Sequence, residues 1–523
     1  MELSTIDFVV FIGYCCLVVG LGLFVSRRKK GVEETSSDYF LASRSLPWWA
    51  VGASLIASNI SAEQFIGMSG SGYAIGLGIA TYEWIGAIGL LIVAKYFLPI
   101  FLKTKIYTMP QFLEIRFDHR VRTSLAVFWL LVYVFINLTS VLYLGALVLV
   151  NVMGISLIQA VIGLALFSAI YSVYGGLKAV AWTDVMQVTF LIIGGLITTF
   201  LVLSEIGNGE GVIAGFGNML KAAPDKFDMV LAKDHPMYTY LPGIGVLLGG
   251  IWMANLYYFG CNQYIIQRAL AAKSLREAQR GVAFAGFLKL MLPILVVVPG
   301  IAAYVLQADI AKPDDAYPWL LSNFVGPGFK GLVFAALIAA IVSSLSSMTN
   351  SSSTIFTMDL YKPLINKGAS EKQMVRTGRI TSLVVLAIAV SIAPLLRNLD
   401  QAFQFIQDFT GYVTPGLVAI FLAGLFWKKA TANAALLVAI LTIPLSLMFD
   451  LFIPDMPFMN RVGYSFLILS AILIVYSLIE NRKKGDHGKG IEIEKGLFKT
   501  GPVFNGSAII IMGVLAALYA IFW

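Results

Sequence analysis

Charge is scarce in this chain: only 13% of its 523 residues are Asp, Glu, Lys or Arg, about half the share found in soluble proteins. Hydrophobic residues make up 58% and the mean hydropathy is +0.83. About fourteen spans of roughly 22 residues would consume most of the length, leaving little room for a soluble catalytic or nucleic-acid-binding domain. Histidine and cysteine are equally sparse. His119, His235 and His487 all fall in loops, and Cys15, Cys16 and Cys261 all fall in apolar stretches, which argues against a transition-metal site and a disulfide framework. No nucleophile paired with a base and no phosphate loop is found, so an enzyme is not expected. The start, MELSTID, lacks the basic segment of a signal peptide, and the apolar run from Thr5 to Ser26 is full span length and ends in Arg27, Arg28, Lys29 and Lys30. A retained first helix with its N-terminus outside is the expectation. The net charge of +8 does not imply a nucleic-acid partner, because Lys and Arg are scattered through short loops rather than gathered on one face.

What is present is a series of apolar segments at helix length, near 5–26, 47–74, 79–102, 124–151, 156–174, 181–204 and 240–261, then 281–307, 331–358, 380–396, 400–427, 431–451, 462–480 and 503–522. The fold class is therefore an all-α integral membrane protein with about 14 transmembrane helices, one transporter domain over 1–523. With the N-terminus outside, seven basic residues fall on the outer side, Lys221, Lys226, Lys233, Lys312, Lys330, Arg397 and Arg461, and 28 of the 37 fall in the cytoplasm. That asymmetry sets the orientation and places both termini outside a plasma membrane. Lys95 and Lys289 lie within spans; Lys95 can snorkel, whereas Lys289 lies deeper.

Beyond the extra helix 5–26, spans 47–204 form one set of five and spans 240–427 another, followed by three helices over 431–522. Five is odd, so the second set begins on the opposite side of the membrane and the two sets, if they share a fold, form an inverted repeat. The first helix of each set carries a polar interruption. Ser58, Asn59, Ser61, Glu63 and Gln64 interrupt 47–74, and Asn255, Tyr257 and Tyr258 lie beside Gly249 and Gly250 in 240–261. Small and polar residues also serve as helix glue, but Asn59, Glu63 and Gln64 together need more partners than glue supplies, and a midplane site is favoured.

Span 331–358 runs into the hydroxyl-rich stretch Ser343 to Thr354. Some of these hydroxyls are expected to bond back to their own helix. Ser343 and Ser344, midway along, are placed to join freed carbonyls around a hard cation such as sodium. Intramembrane Glu63, Glu83, Asp184, Lys289 and Asp408 are functional candidates because each is costly in lipid. Glu83 also fits an interfacial position and Asp184 an N-terminal helix charge, whereas Lys289 has the weakest bland explanation. A neutral polyol needs many donors and acceptors plus an aromatic face; Gln64, Glu83, Asn255, Lys289 and Gln407 with Tyr258 and Phe403 supply that mix.

Four stretches carry a resemblance: SLPWWAVGASLIASNISAEQFIGMSGSGY at 45–73, YGGLKAVAWTDVMQ at 174–187, ANLYYFGCNQYIIQR at 254–268 and AAIVSSLSSM at 339–348. Through them the chain resembles the solute:sodium symporter family, and within it the sugar symporters, almost end to end. The resemblance implies a five-plus-five inverted repeat of the LeuT type, sodium as coupling ion, and a small neutral sugar held by Gln64, Glu83, Asn255, Lys289 and Gln407. It further implies Tyr258 as an inner gate held by Asn59, and Met68, Tyr82 and Phe403 as an outer cover. The sodium ligands it implies are the carbonyls of Ala57, Ile60 and Ala340 and the hydroxyls of Ser343 and Ser344, with Asp184 on the ion's exit path. Two positions depart from the sugar-symporter pattern: Gly86 replaces a serine and Phe259 a tryptophan, which bears on the hydroxyls recognised and on the tightness of the inner gate. Localisation in a bacterial inner membrane, contact with membrane lipid and no obligatory protein partner complete the expectation. The alternatives are the same fold carrying myo-inositol, sialic acid, proline or another solute, and a sensor or sodium-leak channel; no output domain after 503–522 favours a sensor.

Overall fold

The computed structural model describes residues 3–27, 33–61, 63–241, 243–398, 402–484 and 489–523. Among the described residues there is no β-strand, only an isolated parallel bridge between Leu46 and Ala272. Among the described residues, ten helices are long and apolar enough to cross a membrane: Thr5–Val25, Leu77–Lys103, His119–Val150, Leu157–Ile206, Leu275–Val305, Phe329–Ile365, Glu371–Leu396, Ala432–Phe452, Phe458–Lys483 and Pro502–Ile521. Thr410–Phe426 is a shorter apolar helix.

Local sequence sets where these helices start and how they dock. Ser4 and Asp7 form a reciprocal capping box on Thr5–Val25, which satisfies amides that lipid could not. The second oxygen of Asp7 accepts the amides of Gly328 and Gly331, each at 2.7 Å, so one carboxylate also sits on the N-terminus of Phe329–Ile355, where the helix dipole favours it. Elsewhere in the bundle, Arg116 donates to the carbonyls of Gly424, Trp427, Lys428 and Ala430. Those acceptors are the orphan carbonyls at the end of Ala402–Phe426 and just beyond it. Burial lowers the guanidinium pKa to about 10, still high enough to keep the cap charged.

The predicted spans 156–174 and 181–204 are one kinked element, Leu157–Ile206. The kink is at Gly176, with φ 56° and ψ −154°, a conformation that costs glycine little and other residues much. A Cβ there would lie 2.3 Å from the carbonyl oxygen of Tyr39, so the backbones meet only because the side chain is absent.

Phe329–Ile355 runs through the centre and packs against Leu157–Ile206, Thr5–Val25 and Glu371–Ile392. Nearly every residue from Val333 to Ile355 is buried, which explains how a serine-rich segment survives: its hydroxyls face protein. Ser346 pairs with Ser168 and Tyr171, Ser351 donates to Gln267, Ser353 to the carbonyl of Gly378 and Thr354 to that of Asn350. These are structural. Ser343, Ser344 and Ser347 turn elsewhere.

Candidate functional site

The element at 47–74 is broken. Trp48–Asn59 is α-helical, Ile60 is extended at φ −82° and ψ 118°, and the chain resumes as the π-turn Glu63–Met68 followed by Ser69–Ala74. The break is held by side chains: the Ser61 amide donates to Oε1 of Gln64 at 2.8 Å, leaving the last carbonyls of the first half without intrahelical partners. Ser344 Oγ donates to the carbonyl oxygens of Ser58 and Ile60, both at 3.4 Å. Next to it, Ser343 donates to Oδ1 of Asp184 at 2.6 Å and Ser54 to Oδ2 at 2.5 Å. Ala57, Ile60, Ala340, Ser343, Ser344 and Asp184 are all buried. The set is rich in neutral oxygens with one carboxylate beside it, the donor chemistry a hard monovalent cation takes.

Arg268 completes this cluster. It is fully buried, donates to the carbonyl of Tyr264 at 2.6 Å and to the hydroxyl of Ser347, and stands 3.9 Å from Asp184. Ser347 in turn bonds Ser58 at 2.8 Å. The sequence alone gives Arg268 no role, since it reads as one more cytoplasmic basic residue; its position four residues after Tyr264 inside QYIIQRAL was the available signal. Asp184 lies well inside Leu157–Ile206, so a plain N-terminal helix charge does not describe it.

The second interrupted element also opens. Gly250–Leu256 leads through the π-turn Tyr257–Cys261 to Asn262, extended at φ −83° and ψ 121°, before Gln263–Leu270. The expected span 240–261 therefore stops short of the break and of the helix that follows it. Tyr133 fixes the opening by donating to Oδ1 of Asn262 and accepting the amide of Gln263 at 2.9 Å.

On the membrane-buried face between these elements, Lys289 Nζ lies 2.5 Å from Oε2 of Glu83 and 5.0 Å from the centroid of the Phe259 ring. Both charged groups are less than 5% exposed, so each is tolerable through the other. The partner of Lys289 is a protein carboxylate, not a vacancy awaiting ligand. Gly86 sits against the same group: a Cβ there would meet Asn255 Oδ1 at 2.9 Å, Phe259 Cε2 at 3.3 Å and Lys289 Cδ at 3.7 Å. Both departures from the sugar-symporter pattern thus touch one cluster with Glu83, Asn255 and Lys289. Gln64 is not bonded into that pair; its carbonyl oxygen serves its own helix break.

Tyr258 accepts from Asn59 at 3.2 Å and from Tyr264 at 2.8 Å, joining the end of the first broken helix to the second. Met68 is buried. Tyr82 lines a cavity of about 120 Å³ together with Gly70, Tyr240 and Asp314. Phe403 and Gln407 belong to the helix Ala402–Phe426, but their side chains lie outside the described residues, as does that of Glu63.

Two opened helices inside a helical bundle, with buried oxygens at one break and a polar cluster beside them, define a membrane transporter of the broken-helix class. The fold agrees with a solved Na+-coupled sialic acid symporter in its substrate-bound outward-open state, at a TM-score of 0.79 with 24% identity, over 91% of this chain and 98% of that one. The family model of the Sodium:solute symporter family matches residues 39–442. The Sodium/glucose cotransporter of Vibrio parahaemolyticus is 53% identical over 538 aligned residues, covering 100% of this chain and 99% of that protein. The human Sodium/myo-inositol cotransporter is 34% identical, covering 83% of this chain and 65% of that protein. The chain belongs to the sodium:solute symporter family: it is a multi-pass membrane protein, and its class is that of sodium-coupled symporters rather than of enzymes.

Proposed function

We propose that the protein imports a neutral sugar of the glucose or galactose type, driven by sodium and by alternating access. The observation that carries this reading is the cluster of Glu83, Lys289 and Asn255 around Gly86, in a bundle that also presents the oxygens of Ser344, Ser58 and Ile60 at a helix break. A paired carboxylate and ammonium offer hydroxyl groups both an acceptor and donors without presenting a net charge, which suits a polyol and not an amino acid. The full-length likeness to a sodium/glucose cotransporter supports the sugar assignment.

Gln64, Glu83, Asn255, Lys289 and Gln407 would hold the sugar. Sodium, carried as cargo, would take the carbonyls of Ala57, Ile60 and Ala340 and the hydroxyls of Ser343 and Ser344, and leave past Asp184. Bound outside, the ion would fasten the opened helix against Phe329–Ile355 and so select the outward-open state. Met68, Tyr82 and Phe403 would then cover the sugar, and Tyr258 would swing from Asn59 to release it inward. One charge crossing about 100 mV supplies about 2.3 kcal/mol and an about tenfold sodium gradient about 1.4 more. One ion could thus sustain a sugar gradient of roughly several hundredfold.

The same reading takes fourteen spans, five plus five of them an inverted repeat over 47–204 and 240–427. Support comes from two breaks with nearly the same backbone angles, at Ile60 and Asn262, from the kink that divides Leu157–Ile206 in two, and from the opened helices that no single long span represents. Both termini would lie outside a bacterial inner membrane, with no protein partner required. The test is uptake into proteoliposomes of a panel of hexoses, with myo-inositol and proline alongside, with and without an inward sodium gradient. Sodium-dependent hexose uptake is expected; sodium-dependent uptake confined to a non-sugar would overturn the substrate, and sodium-independent uptake the coupling.

A further inference from the structure

A sizeable cavity lies apart from the residues proposed for transport. About 700 Å³ of open groove lies on the face that carries the basic loops, lined by Thr104, Lys105, Ile115, His119, Arg122 and Lys362 among others, with Lys367 at its edge. It is framed by the short helix Met109–Arg116, the start of His119–Leu131 and the end of Phe356–Ile365. The acids there are already engaged: Arg122 binds both Glu114 and Asp359, and Thr108 also donates to Asp359. The side chains of Lys105, His119, Lys362 and Lys367 have no hydrogen-bond or ion-pair partner among the described residues.

The backbone is set to keep one of these cations in place. Lys105 has φ 52°, a left-handed conformation that a non-glycine residue holds at some cost. Arg44 fixes it by donating to the carbonyls of Lys105 and Ile106 at 2.9 and 3.0 Å. The groove is also bordered by apolar residues that the fold leaves uncovered: Ile115 is 46% exposed, Leu364 58% and Ile365 66%.

We propose that this groove binds the headgroup of an anionic phospholipid, its phosphate on Lys105, Lys362 and Lys367 and its acyl chains running over Ile115, Leu364 and Ile365. Unpaired cations between helices at the cytoplasmic interface attract acidic headgroups; a free phosphate would satisfy the lysines but leave the apolar border unused. Lys362 lies at the end of the continuous helix Phe329–Ile365 that carries Ser343 and Ser344, so a bound lipid would tie the cytoplasmic end of that helix to His119–Leu131. The inference is independent of which solute is carried.

The test uses the full-length protein in detergent with added phosphatidylglycerol or phosphatidylcholine, reading retained lipid by native mass spectrometry, with inorganic phosphate and the soluble glycerophosphoglycerol headgroup as further arms. Wild type should retain phosphatidylglycerol selectively, each Lys→Gln change at 105, 362 or 367 should weaken that preference about fivefold, and neither soluble anion should displace the lipid. Charge-matched single controls, Lys429→Gln, Lys483→Gln and Lys495→Gln, each exposed elsewhere, should keep the preference. Equal retention of the two lipids, loss of preference in the controls, or full displacement by inorganic phosphate would each overturn the proposal.

Discussion

The pair formed by Lys289 and Glu83 is where a packing role and a substrate role make different demands. Nζ and Oε2 are 2.5 Å apart with both side chains less than 5% exposed, so removing either partner strands a charge in the bundle. Lys289→Met or Glu83→Gln alone should destabilise the protein by about 3–5 kcal/mol, because the desolvation cost of the survivor is no longer offset. The double variant strands nothing and keeps the approximate volume of both side chains, so it should recover most of that loss and give a coupling energy of about 2–4 kcal/mol. Thermal inactivation in detergent for the four proteins measures this cycle. Sodium-driven sugar uptake in liposomes separates the roles: the double variant should be stable yet inactive, since the ammonium donors have gone and a neutral amide replaces the carboxylate as acceptor. Sodium-induced quenching of tryptophan fluorescence should survive in it, because Ser343, Ser344 and Ile60 lie on other elements. Restored uptake in the double variant would show that the pair only holds helices together, and strictly additive single effects would deny the coupling.

Three further outcomes are expected. Ser344→Ala removes the hydroxyl facing the carbonyls of Ser58 and Ile60 and should raise the half-saturating sodium concentration about tenfold, as for about 1.4 kcal/mol, with sugar recognition little changed; an unaltered sodium dependence would remove Ser344 from the ion path. Gly86→Ala sets a methyl 2.9 Å from Asn255 Oδ1 and should raise the half-saturating sugar concentration, whereas Gly86→Ser can donate to that oxygen and should be milder; equal impairment would contradict the geometry. Outside the membrane-spanning segments, burial and the neighbouring Asp315 push the carboxyl of Asp314 up to about 6 against the opposing pull of Lys312. A raised acid stabilises the fold fully below its unfolded value of 3.8 and loses that contribution as pH rises through about 6. Fold stability should therefore fall by roughly 2 kcal/mol between pH 4 and pH 8 from this group, and Asp314→Asn should flatten the pH dependence of thermal inactivation; an unchanged slope would count against it.

Hydropathy made the membrane class and most helix positions legible, because apolar length is a one-dimensional property of the chain. The break at Ile60 was legible too, since Ser58, Asn59, Ser61 and Gln64 crowd a segment that lipid would not accept. The second break was displaced from its polar cluster. Asn255 bonds back to the carbonyl of Ile251 at 2.9 Å and stays helical, while Asn262 opens because Tyr133, far away in sequence, supplies its partner. Arg116 and Arg268 looked like cytoplasmic loop charges for the same reason: carbonyls and hydroxyls brought by other helices make their burial affordable, and no local pattern announces them. The serine run was visible as a unit, but which hydroxyls are structural depends on what each one faces. Ser346 faces Ser168 and Tyr171, whereas Ser343 faces Asp184.

Taken together, these contacts close into a ring. Asn59 ends the first half of the opened helix and bonds Tyr258; Tyr264 donates to Tyr258; Arg268 donates to the carbonyl of Tyr264 and to Ser347; Ser347 meets Ser58, one residue from Asn59. Asp184 touches the ring through Arg268 and reaches the serine helix through Ser343. Every member is buried or half-buried, so a broken link leaves a polar group to be satisfied elsewhere at a cost of about 1–3 kcal/mol. Tyr258, the proposed inner gate, and the oxygens beside Ile60 therefore share one network with few free adjustments. An ion on the proposed ligands, the carbonyls of Ala57 and Ile60 and the hydroxyl of Ser344, would act on the neighbouring Asn59, and its departure would relax the residue that holds Tyr258. On the proposed reading, coupling between ion and sugar would need no long pathway, because Asn59, the last residue of the helix that would hold the ion, also bonds the proposed gate Tyr258.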